Sequence, residues 1–159
     1  MALNAQIMLS ILAHETSAGD LSKTLRATPA SYAVSLTDGT GANQAQVVWS
    51  FEGMFDGEYA LGSNGLVFSD NRGTVDFSAL KAIYIKNTGS IDFYVSGWPD
   101  GPISENGAAF FRPGAAALFV CPDANGWPAN ADYAFGLNAG DDSPVASAQV
   151  VLIGEGTVT

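Results

Sequence analysis

Ionised side chains are scarce in this sequence: 14% of its 159 residues are charged, against about 25% in an average soluble domain. With 47% hydrophobic residues, much of the surface has to be Ser, Thr, Asn, Gly and Ala. Such a surface suits a subunit covered by its neighbours. A free soluble protein kept apart by its net charge of −10 fits the same composition. Positive charge is the scarcest kind. No Lys or Arg follows Arg112, whereas Asp123, Asp132, Asp141, Asp142 and Glu155 all do. Nucleic acid, held chiefly by cations on phosphates, and anionic membrane are therefore not expected partners.

Sulfur and imidazole are almost missing as well. One cysteine, Cys121, rules out a disulfide within the chain, and one histidine, His14, leaves too few ligands for zinc. Cys121 ends the apolar run Ala-Leu-Phe-Val-Cys, which predicts a small buried side chain. His14 stands beside Glu15 and Thr16, the pattern of a surface or turn histidine and not of a general base. Asp38-Gly39-Thr40-Gly41 lacks the third glycine of a dinucleotide loop and the lysine of a phosphate loop. Carboxylates are the remaining chemical resource. Asp38, Asp70, Asp123, Asp141 and Asp142 fall in loops but without the alternating spacing of a calcium loop, so turn capping is the expected role and calcium the alternative. A carboxylate pair for glycoside cleavage depends on the fold and stays open. Trp98 and Trp127 each precede Pro in a loop, where they pack over a sheet end or stack on sugar. No catalytic residue, metal ligand or cofactor is assigned.

Helical periodicity and long apolar runs are absent too. No stretch of ten residues keeps a 3.6 period, no window nears the roughly 20 apolar residues of a membrane helix, and the first residues lack the cationic start of a secretory signal. A soluble protein made in a cytoplasm is expected. What is present is two-residue alternation between turn signals. Residues 4–12 read as a strand with Ile7, Leu9 and Ile11 inward, a short helix being the alternative that β-branched content disfavours. Residues 20–28 and 31–37 follow as strands parted at Pro29, then 46–52 with Val47, Trp49 and Phe51 on one face, 58–61, 66–68, and a turn at 70–73. Residues 80–97 read as a hairpin: Ile83 and Ile85 on one arm, Ile91, Phe93 and Val95 on the other, and Asn87-Thr88-Gly89-Ser90 as its turn. Residues 115–121, apolar on both faces, predict a strand in the middle of a sandwich. Strands at 108–112, 133–137 and 146–153 complete the set. About ten short strands mean an all-β, antiparallel β-sandwich or jelly-roll-like fold in one domain, 1–159, with residues 1–15 as an N-terminal arm or edge strand.

Certain patterns along the chain carry a resemblance. Asp38-Gly39-Thr40-Gly41-Ala42-Asn43-Gln44-Ala45 followed by Val48-Trp49, then 80–87, then Arg112-Pro113-Gly114 with an apolar strand ending in Pro122-Asp123, and finally Val150-Val151-Leu152-Ile153-Gly154, resemble a family of small tailed-bacteriophage virion proteins. The match runs from about residue 36 to 154 and consists of strands and turns. It implies a β-sandwich structural subunit located in the virion. That subunit would either cement the capsid exterior through the major capsid protein or sit in the neck, tail or a fibre among other virion proteins. Homo-oligomers are expected, a trimer if the subunit caps a three-fold lattice point. The candidate interaction surface is Ile7, Leu9 and Ile11 of the N-terminal segment with Trp98 and Trp127 of the loops. Two other readings stay open: a receptor- or glycan-binding module, and an enzyme acting on polysaccharide through loop carboxylates.

Overall fold

Alternating residues turn opposite faces of a strand to different surroundings, and here the alternation builds sheets throughout. The computed structural model describes residues 2–16, 24–26, 28–55, 58–60, 66–96, 102, 109–129, 136–139 and 145–159. Among these residues there are strands and no helix. The largest sheet has the order β12 (Ala116–Val120), β9 (Gly73–Asn87), β15 (Ala146–Val158), β6 (Val47–Phe55), with β8 (Leu66–Asp70) and β13 (Trp127–Pro128) also pairing with β9. A second sheet runs β11 (Ala109–Phe111), β10 (Phe93–Ser96), β14 (Gly136–Asn138), β7 (Glu58–Ala60). The fold is an antiparallel β-sandwich, as the alternation predicts. Its core joins Val47, Trp49, Ile83, Ile85, Val150 and Leu152 of the large sheet to Phe93, Val95, Phe111 and Leu137 of the small one. Phe93 bridges the layers, edge-on to Phe55 at 5.4 Å and stacked on Phe111 at 5.3 Å.

A third layer lies on the outer face of the large sheet. β1 (Asn4–Ile11) pairs with β4 (Ala30–Asp38), and β4 pairs in parallel with the short β5 (Gln44–Ala45). Ile7, Leu36 and Ala45 of this layer pack with Ala82, Leu118, Val120 and Ile153 of the sheet beneath. The ribbon then runs on: β2 (His14–Thr16) pairs with β3 (Thr24–Arg26), so that residues 4–16 and 24–38 form one long hairpin.

Three sequence-based expectations are corrected. Residues 80–97 do not form a hairpin, because β9 has β12 on one edge and β15 on the other and offers no edge to β10. The link after Asn87 instead carries the chain to the second sheet. The buried Asn87 side chain fixes that crossing: Nδ2 donates to the carbonyls of Ile91 and Phe111, both at 2.8 Å, and Oδ1 accepts from the Gly89 N–H. The hairpin that does form is β8–β9, closed where Asp70 faces Gly73. Second, residues 116–120 are not central but an edge of the large sheet; they are apolar on both sides because the core covers one face and the third layer the other. Third, Cys121 is half-buried at the mouth of a loop, not enclosed in the core.

Strand β9 also slips register twice against β15. Ile153 faces Ala82 and Gly154 faces Leu80, which leaves Lys81 as an extra residue; Glu155 faces Ala79 and Gly156 faces Phe77, which leaves Ser78. Each bulge swaps the faces, so Val75, Phe77, Leu80, Ile83 and Ile85 all reach the core despite their broken parity. The strands approach closely there. A Cβ on Gly154 would collide with the Ala79 carbonyl oxygen, so only glycine fits.

Candidate functional site

The long hairpin carries five of the nine large hydrophobic residues left exposed among the described residues, while its Ile7 and Leu36 pack on the body. Opposed residues of an antiparallel pair share a face, and the register puts Ala5 with Leu36, Ile7 with Val34, Leu9 with Tyr32 and Ile11 with Ala30. That makes one continuous apolar stripe. Along it exposure climbs from 8% at Ile7 to 46% at Leu9 and 55% at Ile11, so the sheet beneath ends between Ile7 and Leu9. The opposite face carries Asn4, Gln6, Ser10, Ser31, Ser35 and Thr37, with Met8 and Ala33, and is exposed along its length. Met8, Leu9, Ile11, Leu12 and Tyr32 are five of the nine large hydrophobic residues exposed among the described residues, and all five lie in this hairpin. Beyond Ile7, residues 8–16 span about 30 Å at 3.3 Å per residue. Leu12 and Ala13 separate the two ladders on the outgoing strand, while the return strand has one more residue there, Pro29 among them, which cannot donate to a ladder.

The sequence-predicted surface is divided by the structure. Leu9 and Ile11, expected to face inward, are exposed, and Ile7 is buried. Trp127 is half-buried against the core and sits in β13 opposite Leu80, so its ring is committed to packing. Trp98 lies outside the described residues, as do Asp132, Asp141 and Asp142. Met8 and Leu12 were not singled out by alternation, and Tyr32, which alternation puts on one face with Val34 and Leu36, was not assigned to the surface. The available signal was the lack of any charged residue before Glu15 in a stretch rich in large apolar side chains.

Three carboxylates among the described residues, Asp38, Asp70 and Asp123, serve local structure. Oδ1 of Asp38 accepts from the Leu3 N–H. Asp70 accepts from the Arg72 backbone N–H and from its guanidinium, Nε to Oδ2 at 3.0 Å, while Arg72 also donates to the Val48 carbonyl. The Arg72 side-chain hydrogen bond, then its backbone N–H and its charge, holds the Asp70 carboxyl below its ordinary value. Asp123 caps its own loop, with Oδ1 accepting from Gly126 at 2.6 Å and Asn125 at 2.9 Å. The Gly126 N–H is the largest cause of its lowered pKa, followed by the Cys121 thiol 3.4 Å away. Burial first, and then the neighbouring Asp123 carboxylate, push the Cys121 thiol up, away from the reactive thiolate.

Lys81 is the one buried cation among the described residues. Its stem leaves the β9 bulge, and Nζ donates to the Asp123 carbonyl and lies 3.0 Å from Oε1 of Glu155. That oxygen has the ammonium as charge partner but no hydrogen bond of normal alignment. The contact ties the 121–126 loop to the bulge. No group of three His, Cys, Asp or Glu side chains converges on a metal-sized point among the described residues. Comparison with family models, curated proteins and solved structures finds no match to the chain.

Proposed function

We propose that this chain is a structural subunit of a bacteriophage virion, a decoration or cement protein held on the outer surface of the major capsid protein shell. It works by contact with other proteins and carries out no turnover. The observation that supports this reading most is the half-docked hairpin. A continuous apolar stripe is packed on its own body over Ile7 and bare from Leu9 outward, and this hairpin holds five of the nine large hydrophobic residues exposed among the described residues. The patterns resembling small virion proteins and the low share of charge supply the rest.

The energetics suit a particle with many copies. Covering the stripe residues Leu9, Ile11 and Tyr32 at about 1 kcal/mol each gives roughly 3 kcal/mol, below the lower estimates of what association costs. One arm alone therefore binds weakly, and repeated contacts across a lattice make the attachment firm.

Quantitative mass spectrometry of purified particles tests the proposal. A copy number near that of the major shell protein supports cementing; a far lower one moves the chain to the tail or neck, and absence from particles refutes the reading. Leu9→Asp with Ile11→Asp is expected to release the protein from shells while its far-UV circular dichroism stays that of the folded chain.

A further inference from the structure

We propose that β1 is the seam of a twofold dimer, in which the free edge of β1 pairs antiparallel with the same edge of a second copy. Three observations meet on this edge. First, β1 is the outermost strand of its sheet, with β4 on one side and no strand on the other among the described residues. Exposed edges are ordinarily blunted by charge, proline or a bulge. Asn-Ala-Gln-Ile-Met-Leu-Ser-Ile has no charged residue and no proline, and its eight residues pair with β4 without a register slip.

Second, a groove of about 260 Å³ runs beside that edge. β1 contributes Gln6, Ile7 and Met8 to it, β4 contributes nothing, and its floor is the buried Ala82 with the half-buried Tyr84, Leu118, Val151 and Ile153 of the large sheet. The floor is thus wider than the strand that lies on it. Third, the apolar stripe of β1 continues past the floor, and Leu9 and Ile11 are uncovered by any of the described residues. A ladder centred on Leu9 satisfies both halves: Leu9 faces Leu9 and Ile7 faces Ile11 of a second copy, every stripe residue stays on one face, and the bare end of each strand comes to rest over the groove of the other.

Charge leaves the hairpin as the place where a second copy can approach. Residues 1–37 hold Glu15 and Asp20 against Lys23 and Arg26, a net charge of zero, so the whole −10 resides in residues 38–159. Two bodies repel, and the neutral hairpin is the part through which they can meet. An edge that pairs with its own copy is self-complementary and closes at two subunits, which replaces the threefold closure expected from lattice symmetry.

Sedimentation velocity of the full chain across the micromolar range tests this. The expected result is twice the chain mass for wild type. Leu9→Lys with Ile11→Lys should be monomeric, with dissociation raised roughly a hundredfold or more because twofold symmetry counts each substitution twice. In a Cys121→Ser background, Leu9→Cys should oxidise to a covalent dimer and Glu52→Cys on the body should not. A wild-type chain that stays monomeric overturns the proposal, as does a dimer that survives the two lysines or cross-links equally through position 52. A monomer that still binds capsid shells through the hairpin would overturn the seam and leave the virion reading standing.

Discussion

Replacing Lys81 by Met keeps the length of an aliphatic stem and removes the ammonium from a fully buried position. Two groups then lose their partner at once. The Asp123 carbonyl loses its donor, and the Glu155 carboxylate loses the cation 3.0 Å from Oε1. Breaking one side of a buried ion pair costs about 3–5 kcal/mol, because a charge is left behind in a poor solvent. The Glu155 side chain keeps 16% exposure and can recover some hydration, which places the cost near the low end, about 3 kcal/mol. At roughly 2–4 °C per kcal/mol for a chain of this size, Lys81→Met should melt about 6–12 °C below wild type. Adding Glu155→Leu removes the stranded charge and should restore most of the loss, to within about 1 kcal/mol. Urea and thermal unfolding followed by far-UV circular dichroism measure all three proteins. A single variant within about 0.5 kcal/mol of wild type, or a double variant no better than the single, would refute the claim that the bulge exists around a buried pair.

Other positions make separate demands. Asn87→Asp preserves shape but turns the Nδ2 donor toward Ile91 and Phe111 into an oxygen facing two carbonyls; a loss of roughly 3 kcal/mol is expected in urea unfolding, and a neutral outcome would mean that this side chain does not pin the crossing between sheets. In protein diluted to the monomer, Ile7→Ala should cost about 2–4 kcal/mol as a core deletion, whereas Leu9→Ala, two residues along the same face, should lie within about 0.5 kcal/mol of the parent chain; equal losses would mean that the stripe is covered throughout by the chain itself. The Arg72 hydrogen bonds to Asp70 and the Gly126 N–H to Asp123 hold both carboxyls below the ordinary aspartate value of 3.8. Their stabilisation is thus present above pH 3.8 and is lost as pH falls through the lower folded values. Melting temperature should drop on acidification below pH 3.8, and by less in Asp123→Ala, in thermal scans from neutral to strongly acid buffer.

Strand identity was legible because alternation is a local property, and partner choice was not because it is a global one. Phe93 and Val95 read as part of a strand and form one, with Ile91 left in the link before it, but nothing in their spacing says that both edges of β9 are taken by residues 116–120 and 146–158. The bulges at Ser78 and Lys81 hid the true length of β9: the apolar positions change parity twice, so the run looks like a short lead-in followed by a strand. Gly154 was visible as a glycine but not as the point where two backbones touch. For the candidate site, Ile7, Leu9 and Ile11 were found as one apolar face. That the supporting sheet stops after the first of them depends on how far residues 82–84, 118 and 151–153 extend beneath it, which only the assembled layers determine.

The same boundary has a consequence for motion. A two-stranded ribbon in water is marginal by itself, and the β1–β4 ladder has a floor under its first half only. The backbone hydrogen bonds around Leu9–Ile11 are therefore held mainly by each other, whereas those around Ala5–Ile7 share in the packing of Leu36, Ala82 and Ile153. Opening the distal half exposes little buried surface and should need far less free energy than opening the proximal half. Amide exchange of the isolated monomer should show Leu9–Ile11 exchanging at least about tenfold faster than Ala5–Ile7, and the difference should vanish when the stripe is covered, in the dimer or on a capsid shell. Uniform protection along β1 in the monomer would contradict the view that the hairpin is completed by what it binds.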